Sequence, residues 1–424
     1  MIGRTSSAWP ILLLTLVVAP PLAAQQPDPR DADPHGLDLP VVEHVLENGM
    51  RFLILPRAGA PTVPFVLRYP VGSVHESLGY TGIAHMLEHM LFKGTRTVGT
   101  RDPDAELAYF PRIDAVADSI LLERGRAGGT DSARLTLLEE RLTELEDSAR
   151  AFVVPNEFDR ILTRHGARGL NAMTSVEATT YYVQRAAIRA RLCFILEAER
   201  MSEPVFREFY TERDVVAEER RMRVETSGDG LLYEALMATA YRVHPYGVPV
   251  VGHMADIQSY TRRQVEEYHR RFYGPNNAVV AVVGAVDPDS VIAWADAYFG
   301  PLPRGEDPPP VLAREPVQRG ERRVEVRFEA EPRVMMGWHI VDEMHPDMPA
   351  LVMLASILAG GQTSRLHRRM VLDEKVAQGV SAGPLPGGRF PQLFVIGASP
   401  APSHTIDDLE RIVEQELDRL KEAP

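Results

Sequence analysis

The 424-residue chain contains one cysteine, Cys193. An intrachain disulfide framework, a CxxC redox pair and a cysteine-based zinc cluster are all excluded. Set in the apolar run 192–196, Cys193 reads as a small buried hydrophobe. Basic charge is also scarce. Lys and Arg number 46 against 59 Asp and Glu, a net charge of -13, and no basic block offsets it, which argues against nucleic acid as a partner. The N-terminal apolar run, residues 11–18, is too short to cross a bilayer. Mean hydropathy of -0.16 rules out a polytopic membrane protein. What is present is ordinary for a globular chain: 45% hydrophobic and 25% charged residues, in a length that suits about two to three domains.

The first 24 residues read as an address label. Arg4 precedes the apolar run, and Ala23 and Ala24 supply the small residues of a cleavage site, the pattern of a secretory signal peptide. No cysteine follows for lipid attachment. The expectation is an exported protein, periplasmic or secreted, with no membrane span after cleavage near Gln25. A Pro/Asp-rich leader then runs over 25–40.

Strands and helices alternate beyond it, an α+β pattern. Residues 41–56 form two strands around the turn Asn48-Gly49, 63–71 a third, 82–92 a helix, 278–284 a buried strand and 287–299 a capped helix. A Pro-rich linker covers 301–318, separating a first domain, 41–300, from a second, 319–424. The second repeats the first in outline. Overlaying helix 349–359 on helix 82–92 places Leu354 on Leu87, Ile357 on Met90 and Gly361 on Gly94, while the polar residues of the first helix have no counterparts. Between about 101 and 156 lies an inserted helical hairpin, with apolar residues Ile113, Val116, Ile120, Leu135, Leu138, Leu142 and Leu145 at helical spacing and a turn at Gly128-Gly129 before the cap Asp131.

The chemistry concentrates in His85-Met-Leu-Glu88-His89. At 100° per residue, His85, Glu88 and His89 fall in one arc of about 100°, opposite Met86, Leu87 and Met90. Two His at i, i+4 can hold one zinc ion, and the Glu beside them can reach a water on it. This is the H-x-x-E-H spacing, of which a chain of this composition should contain about 0.06 by chance. Zinc needs a third ligand. Glu212 and Glu219 are seven apart, on one helical face within about 20°, with Glu218 turned away; Val215 and Val216 flank that stripe and argue that it faces inward.

These residues resemble the pitrilysin/insulinase family of zinc peptidases. The matching motifs are His85-x-x-Glu88-His89, Gly169-Leu-Asn171-Ala172-x-Thr174, Glu212-Arg-Asp-Val-Val-x-x-Glu219, His244-Pro-Tyr-Gly247 and Pro275-Asn-Asn277. The resemblance implies two similar α/β-sandwich domains and a zinc-dependent endopeptidase. It also implies one zinc ion on His85, His89 and Glu219, Glu88 as base, Glu212 behind a ligand, and a strand at Asn171-Ala172 that pairs with extended peptide. Three features depart from the family. The gap from His89 to Glu219 is long, the helical hairpin accounting for the excess; Gln378 stands where a substrate-gripping tyrosine is expected; and the second domain is short, as if truncated. The expected partners are therefore peptide substrates and a homodimer mate or a zinc-less homologous subunit. A binding or scaffold subunit without turnover is the alternative.

Overall fold

The computed structural model describes residues 39–59 and 62–422. The stretch 1–24 read as a signal peptide lies outside them, as does all of the expected leader but Leu39 and Pro40. The elements that follow belong to one compact unit, Val41–Pro424.

Strands β1 (Val42–Val45) and β2 (Arg51–Pro56) pair antiparallel around Asn48-Gly49. Gly49 takes φ +94°, as the tight turn requires. Asn48 Nδ2 donates to the Phe299 and Leu302 carbonyls at 2.8 and 3.0 Å, fastening the turn to the far end of the domain. Strands β3 (Thr62–Tyr69), β4 (Arg168–Thr174), β5 (Thr179–Ala186) and β6 (Val279–Gly284) complete a sheet of order β1-β2-β6-β3-β5-β4, in which only β2 and β6 run parallel. Among the described residues β4 is an edge, paired only with β5.

Alternate residues of β2, β3, β5 and β6 are buried: Phe52 and Ile54, Phe65 and Leu67, Tyr181 and Val183, Val280 and Val282. They join one core with helix α1 (Ile83–Met90). The next helices are α2 (Pro103–Leu107), α3 (Phe110–Arg124), α4 (Ser132–Arg150), α5 (Glu157–Arg164) and α6 (Arg191–Ser202). Phe194 of α6 stacks on Phe52 and meets Phe65 edge-on. Cys193 beside it is buried, and that burial pushes its thiol up to about 12, far from any reactive thiolate.

α3 and α4 form the hairpin over a narrow seam. Ile113, Ile120 and Leu145 are buried while Leu122 and Leu137 face solvent, and Asp131 caps α4 by accepting from Arg134 N at 3.1 Å. Then come α7 (Phe209–Arg220), α8 (Gly228–Ala240), α9 (Met254–Ser259), α10 (Arg262–Phe272) and α11 (Pro288–Tyr298).

From 301 to 333 there is no helix or strand. A second, three-stranded antiparallel sheet of order β7-β9-β8 follows, from β7 (Val334–His339), β8 (Ala377–Leu385) and β9 (Leu393–Pro400). Helices α12 (Met348–Ala359) and α13 (Ile406–Glu422) close a core of Leu358, Leu366, Met370, Ile396, Leu409 and Ile412. The helix overlay needs one correction. Leu354 packs on this core, but Ile357, set opposite the fully buried Met90, is 42% exposed, and Leu358 fills the core instead. α12 is apolar almost all round, so its periodicity does not say which face is inward.

The two sheets are joined beside the β4–β5 turn. Glu177 there accepts from Gly388 N and Arg389 N at 3.2 and 2.8 Å and from the Tyr246 hydroxyl. Gln378 is drawn into its own sheet, donating to the Pro400 carbonyl at 3.0 Å. Among the described residues, no helix is long and apolar enough to cross a membrane.

Candidate metal centre

α1 is seated by Ile83, Ala84, Met86, Leu87 and Met90, all buried. The chain enters it through Gly82 at φ +85°, where a Cβ would collide with the Val251 carbonyl. The Glu76 carboxylate caps the start, accepting from Gly82 N and Ala84 N at 2.8 Å each. Burial nevertheless raises its pKa to about 8. With the apolar face fixed, the opposite face of α1 points His85 and His89 at α7.

α7 begins after Glu208, which adopts φ +55°, and is held by Val216 and Ala217. Val215, read as flanking the stripe on its inward side, is 47% exposed, and of the two valines only Val216 is buried. Glu219 still arrives where two helical turns from Glu212 put it. Its Oε2 lies 3.5 Å from His85 Nε2 and 3.3 Å from His89 Nε2. One ligand atom from each of His85, His89 and Glu219 falls within 4.8 Å of the others, a set able to hold a metal ion. Glu218 is exposed and pairs with Arg221, so the register with Glu219 inward is the one present.

The surrounding groups prepare the donors. His89 Nδ1 lies 2.9 Å from Glu212 Oε1. An ionised carboxylate only accepts, so Nδ1 carries a proton and Nε2 is the nitrogen that faces the site. Glu212 Oε2 takes Lys93 Nζ at 2.7 Å. Glu219 Oε1 takes Arg223 at 2.8 Å, leaving Oε2 for the centre.

Burial, then the neighbouring His89, lowers His85 to about 4, which keeps it neutral and able to ligate. Its Nδ1 is buried without a hydrogen-bond partner among the described residues. Burial opposes charge on His89 too, but its bonds to Glu212 and Glu219 outweigh this and lift it to about 9. A proton on Nε2 and a cation between the three ligands compete for the same place. Glu219, through its bond to His89, is lowered to about 2. Glu212 reaches about 2 because the His89 and Lys93 bonds overcome its burial.

Glu88 lies beside the ligands. Burial raises its pKa, and a hydrogen bond from the Thr174 hydroxyl of β4 offsets part of that rise. Asn171 and Ala172 lie on the same edge strand, three and two residues before Thr174. Asn171 is exposed, Ala172 buried, and Asn171 Oδ1 accepts from Ala172 N at 2.9 Å. The site thus gathers His85, Glu88, His89, Glu212 and Glu219 from two helices, with Asn171 and Ala172 along the adjoining strand.

Sequence reasoning gave no role to Lys93, Glu208, Glu76 or Thr174. Lys93 is four residues beyond His89 and Glu208 four before Glu212, just outside the ends of α1 and α7. The Thr174 and Glu76 contacts carry no such local signal.

A His-x-x-Glu-His helix faced by a distant inward glutamate is the arrangement of the inverzincin class of metallopeptidases. The comparisons are narrower. The family model described as Insulinase (Peptidase family M16) matches residues 53–108 and 152–253, and that described as Peptidase M16 inactive domain matches 259–424. The zinc protease PqqE of Helicobacter pylori is 30% identical over 393 residues, 90% of this chain and 75% of that protein. The uncharacterized zinc protease ML0855 of Mycobacterium leprae is 29% identical over 71% of this chain and 56% of its own length. A probable mitochondrial-processing peptidase subunit beta of Arabidopsis thaliana is 27% identical over 61% of this chain and 38% of its own. The crystal structure of a protease from Helicobacter pylori superposes with a TM-score of 0.74 at 27% identity, covering 91% of this chain and 80% of that one. The chain belongs to the insulinase family, peptidase family M16, and shares its two-domain α+β fold.

Proposed function

We propose that the chain is a zinc-dependent endopeptidase acting on extended peptides or unfolded polypeptide segments. The observation that carries this is the convergence of His85, His89 and Glu219 within 4.8 Å, with Glu88 held alongside. Neutral imidazole and carboxylate are the donor set of a catalytic zinc site: three protein ligands and one open position. Bound there, zinc supplies a Lewis acid for water and for the scissile carbonyl.

The other steps belong to the chain's own residues. Glu88 takes the proton of the attacking water and hands it to the leaving amine, and its raised pKa brings it closer to neutral working pH. Thr174 fixes one Glu88 oxygen, so Thr174→Val should retain zinc and lose about tenfold in kcat, the scale of one hydrogen bond to a charged group. Glu212 orients His89. Glu212→Gln should cost about 10–100-fold in zinc affinity, read by chelator competition. Substrate lies along the outer edge of β4, where an incoming strand takes over the Ala172 N–H now held by Asn171.

The inactive-domain match bears on the rival, a non-catalytic scaffold subunit. It covers 259–424 and contains none of the metal or base residues, which all lie within the insulinase match. A homologous partner, as a second copy or a zinc-less subunit, fits the absence of a gripping tyrosine at Gln378, and export to a periplasm fits the N-terminal sequence. Cleavage profiling of a peptide library with purified protein, with and without chelator, tests the activity. Chelator-sensitive cutting of extended peptides is expected, and binding without cleavage would favour the scaffold.

A further inference from the structure

Lys93 sits just past the end of α1 and faces two acids, Glu208 at the start of α7 and Glu212 in its first turn. Its Nζ lies 2.7 Å from Glu212 Oε2 and 3.4 Å from Glu208 Oε2. Glu212 holds His89 with its other oxygen. At the outer end, Glu208 Oε1 lies 3.4 Å from Arg150 Nε, and Arg150 Nη2 donates to Thr211 Oγ1 at 3.2 Å. Arg150 closes α4, in the hairpin that the insulinase model passes over between 108 and 152.

The backbone at Lys93 is fixed independently. Arg207, 1% exposed, pairs with the buried Glu106 at 2.9 Å and donates to the carbonyls of Lys93, Thr95 and Val98. Lys93 therefore projects from a rigid loop, while Glu212 projects from the helix that also carries Glu219 and Glu208 from the residue that opens it.

We propose that Lys93, clamped between Glu208 and Glu212, is a positioning residue for the metal centre, acting through Glu212 on His89. The physical reason is a choice of rotamer. Without the ammonium, Glu208 keeps Arg150, but Glu212 loses its own cation and is left facing a second carboxylate four residues away. Glu212, already at the rim, then gains by turning to solvent and releases His89. With the ammonium between them, both carboxylates are drawn to one point, and Oε1 of Glu212 stays on Nδ1 of His89. The pairs are partly exposed, 22% for Lys93 and 15% for Glu212, so each contributes modestly to folding, and the effect should appear at the metal rather than in overall stability.

This rests on the zinc assignment proposed above, and its test separates the two. Zinc dissociation constants are measured by competition with a chromophoric chelator on the full chain, alongside thermal melting. Lys93→Met, which keeps the stem and removes the charge, should weaken zinc about five- to tenfold with the melting temperature nearly unchanged. Lys93→Arg should restore most of the affinity. In a Glu212→Gln background, Lys93→Met should weaken zinc no further, because its route to His89 is already cut. Arg141→Met, on an exposed pair with Glu144, controls for surface charge and should bind as wild type. Wild-type affinity in Lys93→Met, or a full additional loss on top of Glu212→Gln, would overturn the role of Lys93 alone. Wild-type protein that takes up no zinc would overturn the proposed function and this inference with it.

Discussion

Glu88→Gln should leave fold and metal intact and lower peptide cleavage by about 10²–10⁴-fold, the usual cost of removing a general base. The substitution is nearly isosteric, and an amide still meets Thr174. Glu88 contributes no atom to the set formed by His85, His89 and Glu219, so zinc uptake should be unaffected. What the amide cannot do is take a proton from water. Single-turnover cleavage of a quenched-fluorescent peptide, with zinc content measured on the same sample, gives both readouts. Turnover near the wild-type rate would remove Glu88 from the mechanism, and loss of zinc would mean that it ligates.

Losing a ligand should act on a different quantity. In structural sites zinc binding amounts to about 10–16 kcal/mol over four ligands, so one ligand carries about 3–4 kcal/mol, or about 10²–10³-fold in affinity. His85→Ala should show this in full. His85 is the most buried of the three, and its Nε2 is held toward Glu219. The same substitution removes a buried ring, so a lower melting temperature in the metal-free protein is expected as well. The contrast with Glu88→Gln is diagnostic, because that variant loses turnover while keeping its metal and His85→Ala loses both. Equal zinc affinity in wild type and His85→Ala would contradict the ligand assignment.

Local periodicity carries much of the site. His85, Glu88 and His89 share a face because of their spacing alone, and Glu219 rather than Glu218 turns inward because seven residues make two helical turns. The hairpin at Asn48-Gly49 and the cap at Asp131 are legible for the same reason: the turn and the helix start are each specified by one or two residues. Contacts between distant segments are not. Thr174 meets Glu88 across 86 residues, and Lys93 meets Glu208 across 115. Charged pairs at i, i+4 are common on any helix surface, so Glu208 and Glu212 say nothing until a third element brings Lys93 between them. Where a helix is apolar on every side, as α12 is, periodicity also loses its power, and Leu358 rather than Ile357 turned out to face the core.

The most direct test is metal analysis of three purified proteins: wild type, Glu219→Gln and Glu218→Gln. Glu219 Oε2 reaches both histidines, whereas Glu218 points to solvent and Arg221. About one zinc per chain is expected in wild type and Glu218→Gln, with most of it lost from Glu219→Gln. A wild type without zinc, or zinc kept in Glu219→Gln and lost from Glu218→Gln, would contradict the metal centre described here.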